Sequence, residues 1–258
     1  MSDPDHREQA FSALPTSMLQ ALPLLPALHQ PLILLTRHSV RERTSGQGFA
    51  SYDLPLTPAG RQLAEDWGHH LAEQTGRWIA ACLSSPIQRC IDTATLMLDG
   101  QSRHDSALTA PQVHTTALLV EPGSFVVDVV QAGPLFRQHG PLNFINHFLD
   151  NALPGMKQPH QGVFDILALL HAHQSHAHST LLLAVSHDTI LAALLAVMAG
   201  HARITWDDWP DMMEGVFLWF EGETFDQSQL NWVWRGQQFK HPIQGFAGIK
   251  PTDDLGVE

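Results

Sequence analysis

Cysteine, positive charge and long apolar runs are all scarce in this sequence. The two cysteines, Cys82 and Cys90, are too few for a disulfide framework; both fall in apolar segments and read as small buried hydrophobes. No run of about 20 apolar residues is present to span a bilayer. Met1 to Gln9 is polar and acidic, and Pro15, Pro23, Pro26 and Pro31 interrupt the apolar residues that follow, so no secretory leader is expected. Lys and Arg number 14 against 26 Asp and Glu, a formal net charge of −12. Such a chain repels nucleic acid and anionic membrane, so neither is an expected partner. A small anionic substrate remains compatible if the few arginines gather in one place. The expected location is cytoplasmic, and the sequence leaves the oligomeric state open. No internal repeat or low-complexity tract is present.

What is there suits one domain over residues 1–258. The apolar content is 44%, enough for a sizeable core at this length. Residues 1–30 read as an N-terminal extension, lying on the domain or partly disordered. Pro31–Thr36, Trp78–Leu83 and Thr180–Val185 are short apolar runs that read as buried strands of a parallel sheet, and Val113–Val120 reads as another. Thr57-Pro58 is a cap-then-proline helix start, with Leu63, Trp67 and Leu71 on one face. Ser84-Ser85-Pro86 repeats that signal ahead of a helix with Ile87, Cys90, Ile91, Ala94 and Leu98 on one face. Gln161–Gln174 and the almost wholly apolar Thr189–Met198 are further helices. Val216–Phe220 and Leu230–Trp234 read as a closing hairpin. Glu121–His160, rich in Gly, Pro, Asn and His, reads as irregular, and 99–160 as an insertion over the site. Strands alternating with helices predict an α/β fold of three layers, αβα, with a central mostly parallel mixed sheet.

Three of these strands end in unusual polar residues: Thr36-Arg37-His38-Ser39-Val40-Arg41, Ser84-Ser85-Pro86-Ile87-Gln88-Arg89 and Ser186-His187-Asp188. Ligands of open α/β sheets bind outside the carboxyl ends of the strands, so these residues converge there. A phosphoryl group carries spread negative charge, and Arg binds it with parallel N–H donors. Arg37, Arg41 and Arg89 can encircle such a group, with Arg89 in the first turn of a helix. A neutral imidazole is a competent nucleophile toward phosphorus, and surrounding positive charge keeps it neutral. A carboxylic acid must then protonate the leaving oxygen; Asp188 is the first choice and Glu121 the second.

Arg37-His38 with Arg41 resembles the Arg-His-Gly-x-x-Arg signature of the histidine phosphatase superfamily. Leu56-Thr-Pro-Ala-Gly-Arg61 resembles the segment that follows it in that family. Ser84-Ser-Pro-Ile-Gln-Arg89 with Thr93 is similar to its second arginine motif, and Ser186-His187-Asp188-Thr189 to the His-Asp of its acid phosphatase branch. The resemblance spans about Leu32 to Trp234. It implies a phosphoglycerate mutase-like fold, His38 as nucleophile, Arg37, Arg41, Arg89 and His187 as the phosphate pocket, and Asp188 as proton donor. Ser39 departs from the family pattern, which has Gly, a residue that tolerates backbone conformations closed to Ser. The compact size and the Ser84–Thr93 segment look more like the mutase branch, whose acid is a mid-chain Glu that Glu121 could match.

The expected activity is metal-independent hydrolysis of a small phosphomonoester through a phosphohistidine, with no metal or organic cofactor. The alternatives are a phosphomutase of the phosphoglycerate mutase type and a non-catalytic phospho-ligand binding domain. A metal-binding protein using His171, His173, His176 and His178 is a further alternative, but that tract reads more simply as a polar helix end and loop. Arg61 reads as a solvated helix residue. Trp206 and Trp209 lie in an acidic turn-like segment that could border the pocket.

Overall fold

The computed structural model describes residues 14–42, 53–107, 109–121, 123–150 and 153–247. A seven-stranded mixed sheet forms its centre, in the order β3-β2-β4-β1-β5-β6-β7. The strands are β1 (Leu32–Arg37), β2 (Trp78–Ser84), β3 (Val113–Thr115), β4 (Thr180–Ser186), β5 (Gly215–Glu221), β6 (Gln229–Trp234) and β7 (Gln237–Pro242). β3, β2, β4 and β1 run parallel, and β5 to β7 add an antiparallel edge. The hairpin expected from 216–220 and 230–234 is therefore present as β5 and β6. β7 was not expected, because Gln237–Pro242 has little apolar content and its burial is slight, as suits an edge strand.

Helices cover both faces. On one side α2 (Pro58–Thr75) and α3 (Gln88–His104) pack on the sheet, joined there by the short α1 (Thr16–Ala21). On the other lie α4 (Val129–Leu149), α5 (Pro159–His173) and α6 (Asp188–Met198). β1 shows why the strands read as continuous apolar runs: Leu32 and Leu34 point into one core and Ile33 and Leu35 into the other. α6 is buried almost all round, in keeping with its composition. Thr57 caps α2 by accepting from the Gly60 N–H, with Pro58 in the first turn.

Several sequence expectations change. Val113–Val120 is a strand only to Thr115; the Thr116 hydroxyl then accepts from the Leu118 N–H and caps a single tight turn over Ala117–Leu119. Residues 99–104 complete α3 rather than open an insertion. The stretch expected to be irregular contains α4, interrupted at Gly140, whose φ of 70° leaves the helical region ahead of Pro141. Residues 14–30 lie on the domain: Met18 and Ala21 are buried, and Arg77 donates to the carbonyls of Pro26, Ala27 and Gln30. The remainder of the 1–30 extension falls outside the described residues.

Candidate active site

The carboxyl ends of β1, β4 and β2 lie side by side, with Arg37 paired to Ser186 and Ser84 to Val185. The chain continues the register past the strands: His38 N donates to the Ser186 carbonyl at 3.0 Å, and Ser85 N to the Val185 carbonyl at 2.9 Å. This alignment of neighbouring strand ends brings His38, Ser85 and His187 together from positions far apart in sequence.

His38 is buried. Its Nδ1 lies 2.8 Å from the Ser39 carbonyl, and its Nε2 receives the Arg89 Nε–H at 2.9 Å. A carbonyl only accepts, so Nδ1 carries the proton and Nε2 holds a lone pair. Burial, and then the charges of Arg89 and Arg37, hold the His38 pKa well below its usual value, so the ring is neutral. His187 stands edge-on to it, with ring centroids 5.6 Å apart. Its Nε2 is 2.9 Å from the Ser85 hydroxyl and its Nδ1 is 3.4 Å from Arg89 Nη2. Burial and the nearby Arg89 push its pKa down to about 3.

Ser39 fits where a glycine was expected. Its φ is not positive among the described residues, its N–H donates to Thr93 Oγ1 at 3.0 Å, and its hydroxyl donates to the Gly60 carbonyl at 2.7 Å. The hydroxyl thus ties the loop after β1 to the first turn of α2.

The two carboxyl groups differ. Asp188 pairs with Arg37, Oδ2 to Nη2 at 2.8 Å, and its Oδ1 accepts from the Thr189 N–H. It is the first residue of α6, with His187 just before it. Burial works to raise its pKa, but Arg37, His187 and the hydrogen bonds of the Thr189 N–H and the Trp209 side chain bring it below the ordinary range. Glu121 is buried in the same cluster. Burial, and next the negative charge of Asp188, raise its pKa to about 7.

The structure therefore brings Arg37, His38, Arg89, Glu121, His187 and Asp188 together. Arg41 is further out: it is half-buried, its Nη1 reaches the Glu42 carbonyl at 3.2 Å, and its charge is felt at Arg89. Arg61 stands outside, in an exposed ion pair with Asp92. Sequence reasoning missed Ser85 as a partner of His187, having read it as a helix cap; α3 instead starts at Gln88 without a side-chain cap. It also missed the Pro210 carbonyl, which accepts from Arg37 Nη1 at 2.8 Å, since a backbone acceptor leaves no mark in sequence. In the 171–178 tract, His171 packs edge-on to Phe220, and His173 Nδ1 reaches the Leu169 carbonyl of its own helix.

An α/β sheet with a cationic, imidazole-bearing cluster at its carboxyl edge is suited to holding an anion such as a phosphoryl group. Residues 33–116 match the model of the histidine phosphatase superfamily (branch 1). No curated protein matches the chain. Two solved structures, mycobacterial hydrolase 1 and mycobacterial hydrolase 2, share its fold. The first aligns at 18% identity over 80% of this chain and 98% of its own, with a TM-score of 0.52. The second aligns at 14% identity over 84% and 96%, also with a TM-score of 0.52. The mycobacterial glucosyl-3-phosphoglycerate phosphatase aligns at 16% identity over 73% and 89%, with a TM-score of 0.48. The resemblance to the histidine phosphatase superfamily thus rests on the sequence match over 33–116, and the two hydrolases show a shared fold alone.

Proposed function

We propose that the protein is a metal-independent phosphomonoesterase that passes the phosphoryl group through His38, with Glu121 as the proton donor. One observation carries the reading: a buried neutral imidazole whose Nδ1–H is held by the Ser39 carbonyl, leaving the Nε2 lone pair among Arg89, Arg37 and His187. Such a ring is a ready nucleophile, and no base is needed to activate it.

In the first step Nε2 attacks phosphorus in line with the ester oxygen. Arg89 releases Nε2 as it takes up a phosphoryl oxygen, and Arg37 and His187 share the remaining equatorial charge, with Arg41 at the rim. The P–O bond breaks, and protonated Glu121 gives its proton to the departing alkoxide. In the second step the Glu121 carboxylate takes a proton from water as that water attacks the phosphohistidine. The P–N bond breaks, inorganic phosphate leaves, and both side chains return to their starting states. Asp188 is less suited to donate, because its ion pair with Arg37 holds it ionised. Its part is to fix Arg37 and, by its charge, to keep Glu121 protonated.

The test is a turnover screen across small phosphate esters with EDTA present. Hydrolysis that survives EDTA and disappears in a folded His38→Ala variant supports the reading. Activity that needs added metal, or that persists without His38, contradicts it.

A further inference from the structure

A second polar cluster lies behind the pocket. The Glu214 carboxylate is buried and receives four donors: Arg235 Nε at 2.9 Å, Arg235 Nη2 at 2.9 Å, Ser17 Oγ at 2.7 Å and the Asp211 N–H at 2.9 Å. Arg235 faces the same segment from the turn between β6 and β7. Its Nη1 donates to the Asp207 carbonyl and its Nη2 to the Trp209 carbonyl at 3.0 Å, while its guanidinium lies 4.8 Å from the Trp234 ring centroid. One guanidinium and one carboxylate thus hold both ends of the 207–214 segment.

That segment is what the catalytic loop leans on. The Pro210 carbonyl receives Arg37 Nη1, the Trp209 side chain hydrogen-bonds Asp188, and Asp188 in turn holds Arg37 Nη2. The Arg37 N–H donates to the Glu214 carbonyl at 2.9 Å, and the Met213 N–H to the His38 carbonyl at 3.3 Å. Met213 sits at a φ of 61°, a conformation a non-glycine residue keeps only where its surroundings impose it.

We propose that Glu214 and Arg235 are positioning residues for the phosphate pocket, which set the orientation of Arg37 through the Pro210 carbonyl and the Trp209–Asp188 contact. The proposal rests on the phosphate-binding role given above to Arg37. Neither residue reaches the reacting atoms. An Arg fork binds a phosphoryl group well only when its plane is aimed, so loosening the acceptors that aim it weakens anion binding and turnover together.

The probe is inorganic phosphate, titrated calorimetrically into the wild type and into Arg37→Ala, Arg235→Ala and Glu214→Gln, each first shown to be folded by circular dichroism. Arg235→Ala is expected to weaken phosphate binding roughly tenfold and to lower kcat/KM by roughly 10²-fold, the scale of an ångström-level misplacement. Added guanidinium is expected to restore much of both, because the Arg235 side chain is partly exposed and its site can be refilled. A purely structural role would lower the unfolding midpoint while leaving the phosphate affinity of the folded protein unchanged. Should Arg235→Ala not fold, Glu214→Gln carries the same test, since Gln keeps the shape and loses the charge that organises the four donors. Wild-type phosphate affinity in these variants alongside weakened affinity in Arg37→Ala overturns the positioning role alone. So does a loss in Arg235→Ala that guanidinium leaves in place. Wild-type affinity in Arg37→Ala overturns the pocket assignment itself.

Discussion

Glu121 and Asp188 occupy one cluster yet sit on opposite sides of their ordinary acidity, one raised to about 7 and the other lowered. In the proposed mechanism that separation divides the roles: the group still partly protonated near neutral pH donates, and the group that is ionised holds an arginine. An alkyl ester needs a proton on its leaving oxygen, while a nitrophenolate hardly does. Glu121→Gln is therefore expected to cost about 10²–10⁴-fold on alkyl phosphates and far less on nitrophenyl phosphate. Asp188→Asn is expected to lower both rates alike; a selective loss there instead moves the donor to Asp188. The pH dependence follows with a definite sign. The donor is active when protonated, so kcat/KM should fall as pH rises through about 7, and Glu121→Gln should abolish that limb. His38, held neutral by burial and the arginines, adds no acidic limb near its ordinary value. The polar residues at the strand ends were legible because their motifs are local. The ordering of the two acids was not, since it depends on which carboxylate Arg37 meets, and that pairing joins β1 to α6 across the fold.

Among the elements, β1, β2 and β4 were readable as short continuous apolar runs, α2, α5 and the first part of α3 by a helical apolar period, and α6 as an almost wholly apolar stretch of helix length. α4 was hidden by its prolines and by Gly140, which look like loop residues one at a time; only packing against α6 shows that the flanking turns are helical. The crossing of α2 and α3 depends on small residues. A Cβ on Gly68 would stand 2.0 Å from the Met97 carbonyl oxygen, and one on Gly100 would stand 1.9 Å from that of Glu65. The two backbones touch, so Gly68→Ala must push the helices apart. The expected cost is about 1–3 kcal/mol of stability, read as a lower urea midpoint. An unchanged midpoint would show that the two helices separate freely. Because α3 carries Arg89 and Thr93, and Thr93 holds the Ser39 N–H, the same change should also raise KM for the ester.

Across the whole molecule, a strongly acidic chain keeps two of its few arginines, Arg37 and Arg89, buried together at one edge of the sheet. Burying the Arg89 guanidinium carries a desolvation cost, and an anion bound beside it offsets that cost. Inorganic phosphate should therefore raise the thermal midpoint. At a hundred times its dissociation constant the gain is about 2.7 kcal/mol, or roughly 5–10 °C at this chain length. Arg89→Ala should lose most of that shift, and His38→Ala should keep it, because removing the nucleophile leaves the arginines in place. Composition had shown that a cluster of cations would stand out, and the strand-end motifs placed it at the carboxyl edge; that β1, β4 and β2 are the neighbours that join it required the strand order.

The most direct test of the account is to trap the covalent intermediate. The protein is mixed for milliseconds with an excess of ³²P-labelled phosphate ester and quenched in alkali, where a phosphorylated imidazole survives. It is then digested and the labelled peptide is mapped. The account predicts label on His38, at a level that rises in Glu121→Gln with a nitrophenyl ester, because the water that discharges the intermediate has lost its base. Turnover with no label on the protein, or label on a residue other than His38, would contradict it.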